Sequence, residues 1–298
     1  MPAVGACCGP RRLRAPVATA RPCGSWLGGR ALTEPTVTSP AASYEAFQVR
    51  YLFGPWSLDL IERVRPQPGE RVLDLACGTG AVAREALKRI SPGGTLVGVD
   101  LNPDMLRVAS EVIEAREPVV RWQQASAESL PLPDASFDVA LCQQGLQFFP
   151  DKQGALRELR RVLKPGGRLA LSVWRSLEHN PLPHALSNAA DGRLGKAIAI
   201  AFGLGENGGL ERMLQDAGFQ SVRVVSVEKV IVQPADGYVE RSVKGAAAAL
   251  PDLRAMTEDE RAQLAAAVRA DMGPTLRSYT TDGELRCPMA VHVATARN

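Results

Sequence analysis

No stretch of the 298 residues approaches the roughly 18 apolar residues needed to cross a bilayer, which excludes an integral helical membrane protein. Near the start there is no hydrophobic segment of about 7–15 residues either, so a secretory signal is not expected. Aromatics are scarce, at 5%, and histidine is scarcer, with three in the chain. His179, His184 and His292 show no zinc-ligand spacing, and none of the six cysteines (Cys7, Cys8, Cys23, Cys77, Cys142, Cys287) forms a Cys-x-x-Cys pair. No metal site is expected. Cys77 and Cys142 fall in apolar stretches, where a free cysteine behaves as a small hydrophobe. That usage suits a reducing, cytoplasmic home.

Basic charge is also missing from most of the chain. The net charge is +3, but residues 1–42 hold five arginines and one acid, Glu34, and so carry +4. The remaining 256 residues hold 30 basic and 31 acidic side chains. A body with no basic surplus argues against nucleic-acid binding. The first 42 residues mix Arg, Pro, Gly and Ala without apolar periodicity. They are expected to be a disordered extension or a mis-called start, in preference to a targeting segment.

What is present is an ordinary globular composition, 45% hydrophobic and 22% charged, long enough to bury a core without disulfide or metal staples. From residue 43 onward a single domain is expected. Tyr44, Phe47, Tyr51 and Leu52 recur at near-helical spacing, and Trp56, Leu58, Leu60 and Ile61 suggest a second helix. Strands and helices then alternate. The pattern predicts strands at Arg71–Leu75, Thr95–Asp100, Val119–Gln123, Phe137–Cys142 and Arg168–Val173, with helices at Ala81–Ile90 and Lys152–Leu163. Asn102 with Pro103 behind it starts another helix. Such alternation implies a doubly wound, mostly parallel sheet covered on both faces. After Val173 the rhythm breaks. Residues 175–205 and 234–285 are expected to form a helical lid, separated by a helix (Leu210–Ala217) and a strand (Val222–Val232). A short strand at Ala290–Ala294 closes the chain.

The most informative segment is Val72-Leu73-Asp74-Leu75-Ala76-Cys77-Gly78-Thr79-Gly80. A strand feeding a glycine turn and then a helix points free backbone N–H groups at a ligand. Asp100, 20 residues beyond Gly80 at the end of the second strand, is placed to meet a ribose held over that turn. Gly78-Thr79-Gly80-Ala81-Val82-Ala83 also matches the dinucleotide pattern G-x-G-x-x-A. Asp74 tells against NAD, because a carboxylate beside the turn repels a pyrophosphate and attracts a ligand carrying ammonium and sulfonium groups.

At these residues the chain resembles the class I S-adenosylmethionine-dependent methyltransferases, the broad group that includes the ubiquinone/menaquinone-pathway enzymes. The resemblance rests on five motifs in order. They are Asp74–Gly80; Val97-Gly98-Val99-Asp100-Leu101-Asn102-Pro103-Asp104-Met105-Leu106; Ala127-Glu128-Ser129-Leu130-Pro131-Leu132; Phe137-Asp138-Val139; and Leu163-Lys164-Pro165-Gly166-Gly167. It implies a seven-stranded Rossmann-like sheet and S-adenosylmethionine as cofactor. Asp74, Ala76 and Gly78 would surround its methionine part, Gly80 would also bind the cofactor, and Asp100 would hold its ribose, with Leu101 packing on the adenine. Ser126, Ala127 and Glu128 would line the adenine edge. Many relatives carry Asp at position 126, whereas serine accepts without charge. Gln143 would sit near the transferred methyl. The histidine-bearing segment that quinone-pathway members show before the first strand is absent from Tyr44–Trp56, so quinone methylation is not expected.

The implied reaction is attack of a small-molecule acceptor on the cofactor's methyl, which needs no protein nucleophile. If a base assists, the candidates are His179, His184, Tyr238 and Tyr279, each more often a packing or surface residue. A non-catalytic cofactor-binding protein of the same fold is the second reading, and an NAD-dependent oxidoreductase the weakest. Labelled cofactor incubated with a metabolite extract separates the first two.

Overall fold

A computed structural model describes residues 39–114, 119–189, 192, 195–206, 208–249 and 251–298. The first five strands are β1 (Arg71–Leu75), β2 (Thr95–Asp100), the edge strand β3 (Val119–Gln124), β4 (Phe137–Gln143) and β5 (Leu163–Trp174), with apolar runs forming β1, β4 and the later half of β5. Three more follow: β6 (Gln220–Pro234), the two-residue β7 (Thr280–Thr281), and β8 (Glu284–Arg297). The sheet order is β3-β2-β1-β4-β5-β8-β6, with β7 hydrogen-bonded to β8. β1 to β5 pair in parallel, while β8 runs antiparallel to both β5 and β6. This is the doubly wound, mostly parallel sheet that the alternating pattern predicts.

The helices are α1 (Pro40–Ser43), α2 (Gly54–Val64), α3 (Ala81–Ile90), α4 (Pro103–Val112), α5 (Lys152–Val162), α6 (Pro181–Asn188), α7 (Gly195–Phe202), α8 (Gly209–Asp216), α9 (Tyr238–Ala249), α10 (Pro251–Ala255) and α11 (Glu258–Tyr279). A π-helical segment, Tyr44–Phe53, joins α1 to α2. The two-residue period of the strands divides their side chains between two cores. Val72, Val139, Leu141 and Ala170 face α2 and α3. Leu73, Leu75, Ala140, Leu169 and Leu171 face α5 and α8. A third core lies beyond the carboxyl end of β5. There Leu182, Leu186, Tyr238, Val243, Leu264, Val268 and Met272, from α6, α9 and α11, close over Leu285 and Cys287 of β8. These helices fall in the segments expected to form a helical lid, and they make a packed layer with its own interior.

Four expectations need correction. Residues 39–42, placed in the expected disordered extension, are structured: the Ser39 hydroxyl caps α1 by accepting from the Ala42 N–H at 3.2 Å, and Ala41 is buried against Met105 and Val108 of α4. Residues 1–38 of the expected extension lie outside the described residues. The near-helical spacing from Tyr44 is wound as a π-helix. Nine residues of α-helix make about two and a half turns and would set Tyr44 and Phe53 on opposite sides. The wider winding stacks their rings, with centroids 5.3 Å apart. β5 starts at Leu163, where Arg168 was expected. The last strand spans Glu284–Arg297 and not Ala290–Ala294, because ladders on both sides hold its polar ends.

Candidate functional site

At the carboxyl end of β1 the chain turns sharply. Ala76 has φ +55°, a left-handed conformation for a residue with a β-carbon, and Gly78 and Gly80 follow at +54° and +87°. The register of β1 on β2 brings this turn beside Asp100. The Gly78 N–H donates to Asp100 Oδ2 at 2.8 Å, and the Asn102 N–H donates to Oδ1 at 2.9 Å. The carboxylate is therefore fixed by two backbone donors, and each oxygen keeps a further lone pair. Burial raises its pKa, and those same N–H bonds pull it partly back.

Asp74 lies under the turn, 1% exposed, and neither carboxylate oxygen has a hydrogen-bond partner. Burial above all, partly offset by the backbone N–H of Ala83 and with the charge of Asp100 adding, pushes it up to about 8. A buried acid without a partner is costly, and a cationic ligand seated on the turn would relieve it.

Leu101 follows Asp100 directly and is 69% exposed. Beside it, Ala125 at the end of β3 donates its N–H to the Asp100 carbonyl at 3.2 Å. Ser126, the buried Ala127 and Glu128 come next. The Ser126 hydroxyl donates to Glu128 Oε2 and accepts from the Glu128 N–H at 3.4 Å. Glu128 Oε1 is buried without a partner.

On the opposite side of the turn, Gln143 ends β4. Its Nε2 donates to the Phe53 carbonyl at 2.8 Å, and its Oε1 is buried and unpartnered. Gln144 (φ +56°) and Gln147 were not singled out from the sequence, although three glutamines within Gln143–Gln147 are a visible signal. Gln147 Nε2 donates to Gln144 Oε1 at 3.0 Å, leaving Gln144 Nε2 and Gln147 Oε1 buried and unpartnered. Unsatisfied polar atoms are rare in folded proteins. Here those of Asp74, Glu128, Gln143, Gln144 and Gln147 gather at the carboxyl ends of β1, β3 and β4.

The π-helical segment reaches the same turn. A β-carbon on Gly78 would come within 3.7 Å of the Tyr44 ring. Glu45 accepts from the Thr79 hydroxyl at 2.5 Å and pairs with Arg84 at 3.0 Å, so this segment is bolted to the turn and to α3.

The candidate bases are not brought to one place. His179 is held by Arg175 Nη2 at 2.6 Å and by the Ser176 hydroxyl at 3.1 Å. Tyr238 is a buried member of the lid core, and burial drives its hydroxyl pKa upward. His184 and Tyr279 line a cleft of about 520 Å³ between α6 and α11. Among the described residues no cluster of His, Cys, Asp and Glu could hold a metal ion, and no helix is long and apolar enough to cross a membrane.

Residues 73–171 match the family described as "Methyltransferase domain". The chain is 33% identical over 223 residues to the ubiquinone/menaquinone biosynthesis C-methyltransferase UbiE of Pectobacterium carotovorum, covering 67% of this chain and 87% of that protein. Among solved structures it is similar to the YcgJ protein of Bacillus subtilis, with a TM-score of 0.56 at 22% identity over 81% of this chain and 98% of that one. It is also similar to a phosphoethanolamine N-methyltransferase 2 of Haemonchus contortus in complex with S-adenosyl-L-methionine. There the TM-score is 0.52 at 17% identity, over 88% of this chain and 60% of that one. At these identities the structural likenesses speak for the fold.

Proposed function

This chain belongs to the class I S-adenosylmethionine-dependent methyltransferases, and from that premise we propose that the turn after β1 and the ends of β2, β3 and β4 bind its cofactor. S-adenosylmethionine is the methyl donor and a small molecule the acceptor. The observation that carries the site assignment is Asp100, fixed by the N–H groups of Gly78 and Asn102 beside the partnerless carboxyl of Asp74. The two acids suit the two ends of the cofactor. Asp100 keeps lone pairs for ribose hydroxyls, and Asp74 offers charge to the ammonium and sulfonium end. Ala76, Gly78 and Gly80 give the turn its left-handed backbone, and exposed Leu101 gives the adenine an apolar face. Ala127 lines the adenine edge with Ser126 and Glu128, and Gln143 stands on the methionine side.

When bound, the cofactor supplies an activated methyl with its own leaving group. The protein's task is alignment of the acceptor at about 3–3.5 Å and exclusion of water. The engagement of His179 by Arg175 and the burial of Tyr238 support a mechanism without an indispensable protein base. Residues 175–205 and 234–285, whose described helices pack beyond the carboxyl ends of the strands, would choose the acceptor.

Asp100→Ala tests the site. It removes charge-assisted hydrogen bonds contributing roughly 1.5–3 kcal/mol each. Calorimetry should show affinity for S-adenosylhomocysteine falling about tenfold or more. An unchanged affinity would remove the site assignment.

A further inference from the structure

We propose that Gln144 and Gln147 form an amide pair that selects the methyl acceptor. The acceptor it selects is a neutral molecule presenting a hydrogen-bond donor and acceptor side by side, as a carboxamide or lactam edge does. The proposal rests on the cofactor site assigned above and names the substrate class of that same site.

Both side chains belong to the loop that leaves β4, and both are buried, Gln144 at 6% exposure and Gln147 at 2%. A hydrogen bond from Gln147 Nε2 to Gln144 Oε1 at 3.0 Å joins them. Each primary amide carries one oxygen and one amino group. A single bond between two amides therefore leaves one oxygen and one amino group over, whichever way round each amide is set. Here the two left over are Gln147 Oε1 and Gln144 Nε2, both buried and partnerless. Such groups are costly until a ligand supplies a donor to one and an acceptor to the other. A carboxylate offers acceptors alone and sets an oxygen against Gln147 Oε1. An ammonium offers donors alone and sets an N–H against Gln144 Nε2. A carboxamide satisfies both.

The position of the pair ties it to the acceptor. Gly145, between the two glutamines, packs so closely on the glycine turn that a β-carbon there would lie 2.6 Å from the Ala76 β-carbon. The Gln144 N–H donates to the Ser172 carbonyl at 2.9 Å, just before β5 ends at Trp174. The short 3₁₀ turn Leu146–Phe148, which carries Gln147, packs against α7 in the segment 175–205. The pair thus stands between the methionine end of the cofactor site and the segment assigned to acceptor choice. Gln144 also holds a left-handed backbone, φ +56°, a strained conformation that persists where its surroundings impose it.

The test is ligand-observed NMR titration of the full chain loaded with S-adenosylhomocysteine. Three probes share one ring and differ only in the polar group: benzamide, benzoate and benzylammonium. Benzamide should bind wild type about tenfold or more tightly than either ion, since each ion leaves one buried group facing its like. Gln144→Leu should weaken benzamide by a similar factor. Gln144→Glu and Gln147→Glu make the sharper test. In either variant the remaining amide donates to the new carboxylate, and both groups left over are oxygens. The preference should then reverse toward benzylammonium, which a merely structural pair would not do. Both changes keep the side-chain shape, and calorimetric affinity for S-adenosylhomocysteine should stay nearly constant. The two variants carry the same prediction, so if one fails to fold the other decides it. Wild type binding the three probes alike, or none of them, would overturn the proposal. So would a preference that the glutamate variants leave unchanged, the result expected if bound water fills the pair. Wild type binding no S-adenosylhomocysteine would instead remove the cofactor site beneath it.

Discussion

Asp74 sets fold stability against ligand binding at a single carboxyl group. Its folded pKa of about 8 stands above the ordinary 3.8, so the folded chain binds this proton more tightly than the unfolded chain. The stability it contributes is fully present below 3.8 and is lost as pH rises toward 8. Asp74→Asn should therefore melt near wild type below about pH 3.8 and increasingly above it as pH rises toward 8. Cofactor affinity has the opposite sign, because a cationic ligand favours the carboxylate. Wild-type affinity should climb as pH approaches 8, with a proton released on binding at lower pH, while Asp74→Asn binds weakly throughout. Titrations in buffers of different ionisation enthalpy read the released proton. A pH-independent affinity would mean that Asp74 stays protonated against the ligand.

Between single residues and the whole lies the joint where the lid leaves the sheet. After β5 the chain folds back through Asn180, which is fully buried. Its Nδ2 donates to the carbonyls of Arg175 and Ser176 at 3.1 Å and of Ala290 at 3.3 Å, and its Oδ1 accepts from the Ala290 N–H at 2.9 Å. One side chain thus fastens the start of the lid to β8. Asn180→Ala leaves these groups without partners at roughly 1–3 kcal/mol each. Urea unfolding should show a loss of about 3 kcal/mol. Affinity for S-adenosylhomocysteine should stay nearly constant, since the first turn is untouched. Equal stability of variant and wild type would show that the joint is held by packing alone. The π-helical segment is a second such element: Glu45 locks it to Thr79 and Arg84 and so hangs Tyr44 over the glycine turn.

At the scale of the whole molecule, two sheet-face cores and a separate lid core divide the labour. Exchanging residues 175–205 and 234–285 for those of a related methyltransferase should change the acceptor used and leave cofactor affinity nearly unchanged. Methyl transfer from labelled cofactor across an acceptor panel measures the first, and calorimetry the second. The first described residues make a further prediction. A chain starting at Ser39 should keep the melting temperature and cofactor affinity of the full chain. One starting at Tyr44 should lose part of both, because it lacks the Ser39 cap and the Ala41 contact with α4 that precede the π-helical segment.

The order of the first five strands, the glycine turn and Asp100 were legible in sequence, because each depends on local rules. Buried parallel strands demand continuous apolar runs, and a turn with positive φ favours glycine. The candidate cofactor residues follow from the same short motifs. Tertiary structure alone decided the rest. It wound Tyr44–Phe53 as a π-helix, which no spacing of aromatics specifies, since the winding is held by Glu45 on a turn more than thirty residues away. It extended β8 to Glu284–Arg297, because polar positions stay in a strand when ladders on both sides hold them. It drew Tyr238 into the lid core, where hydropathy along the chain marks only a helix start. And it paired Ser126 with Glu128, turning a residue that reads as a weak hydrogen-bond acceptor into a donor to its neighbour's carboxylate. A hydrogen-bond partner is a property of three-dimensional neighbours, and one sequence does not carry it.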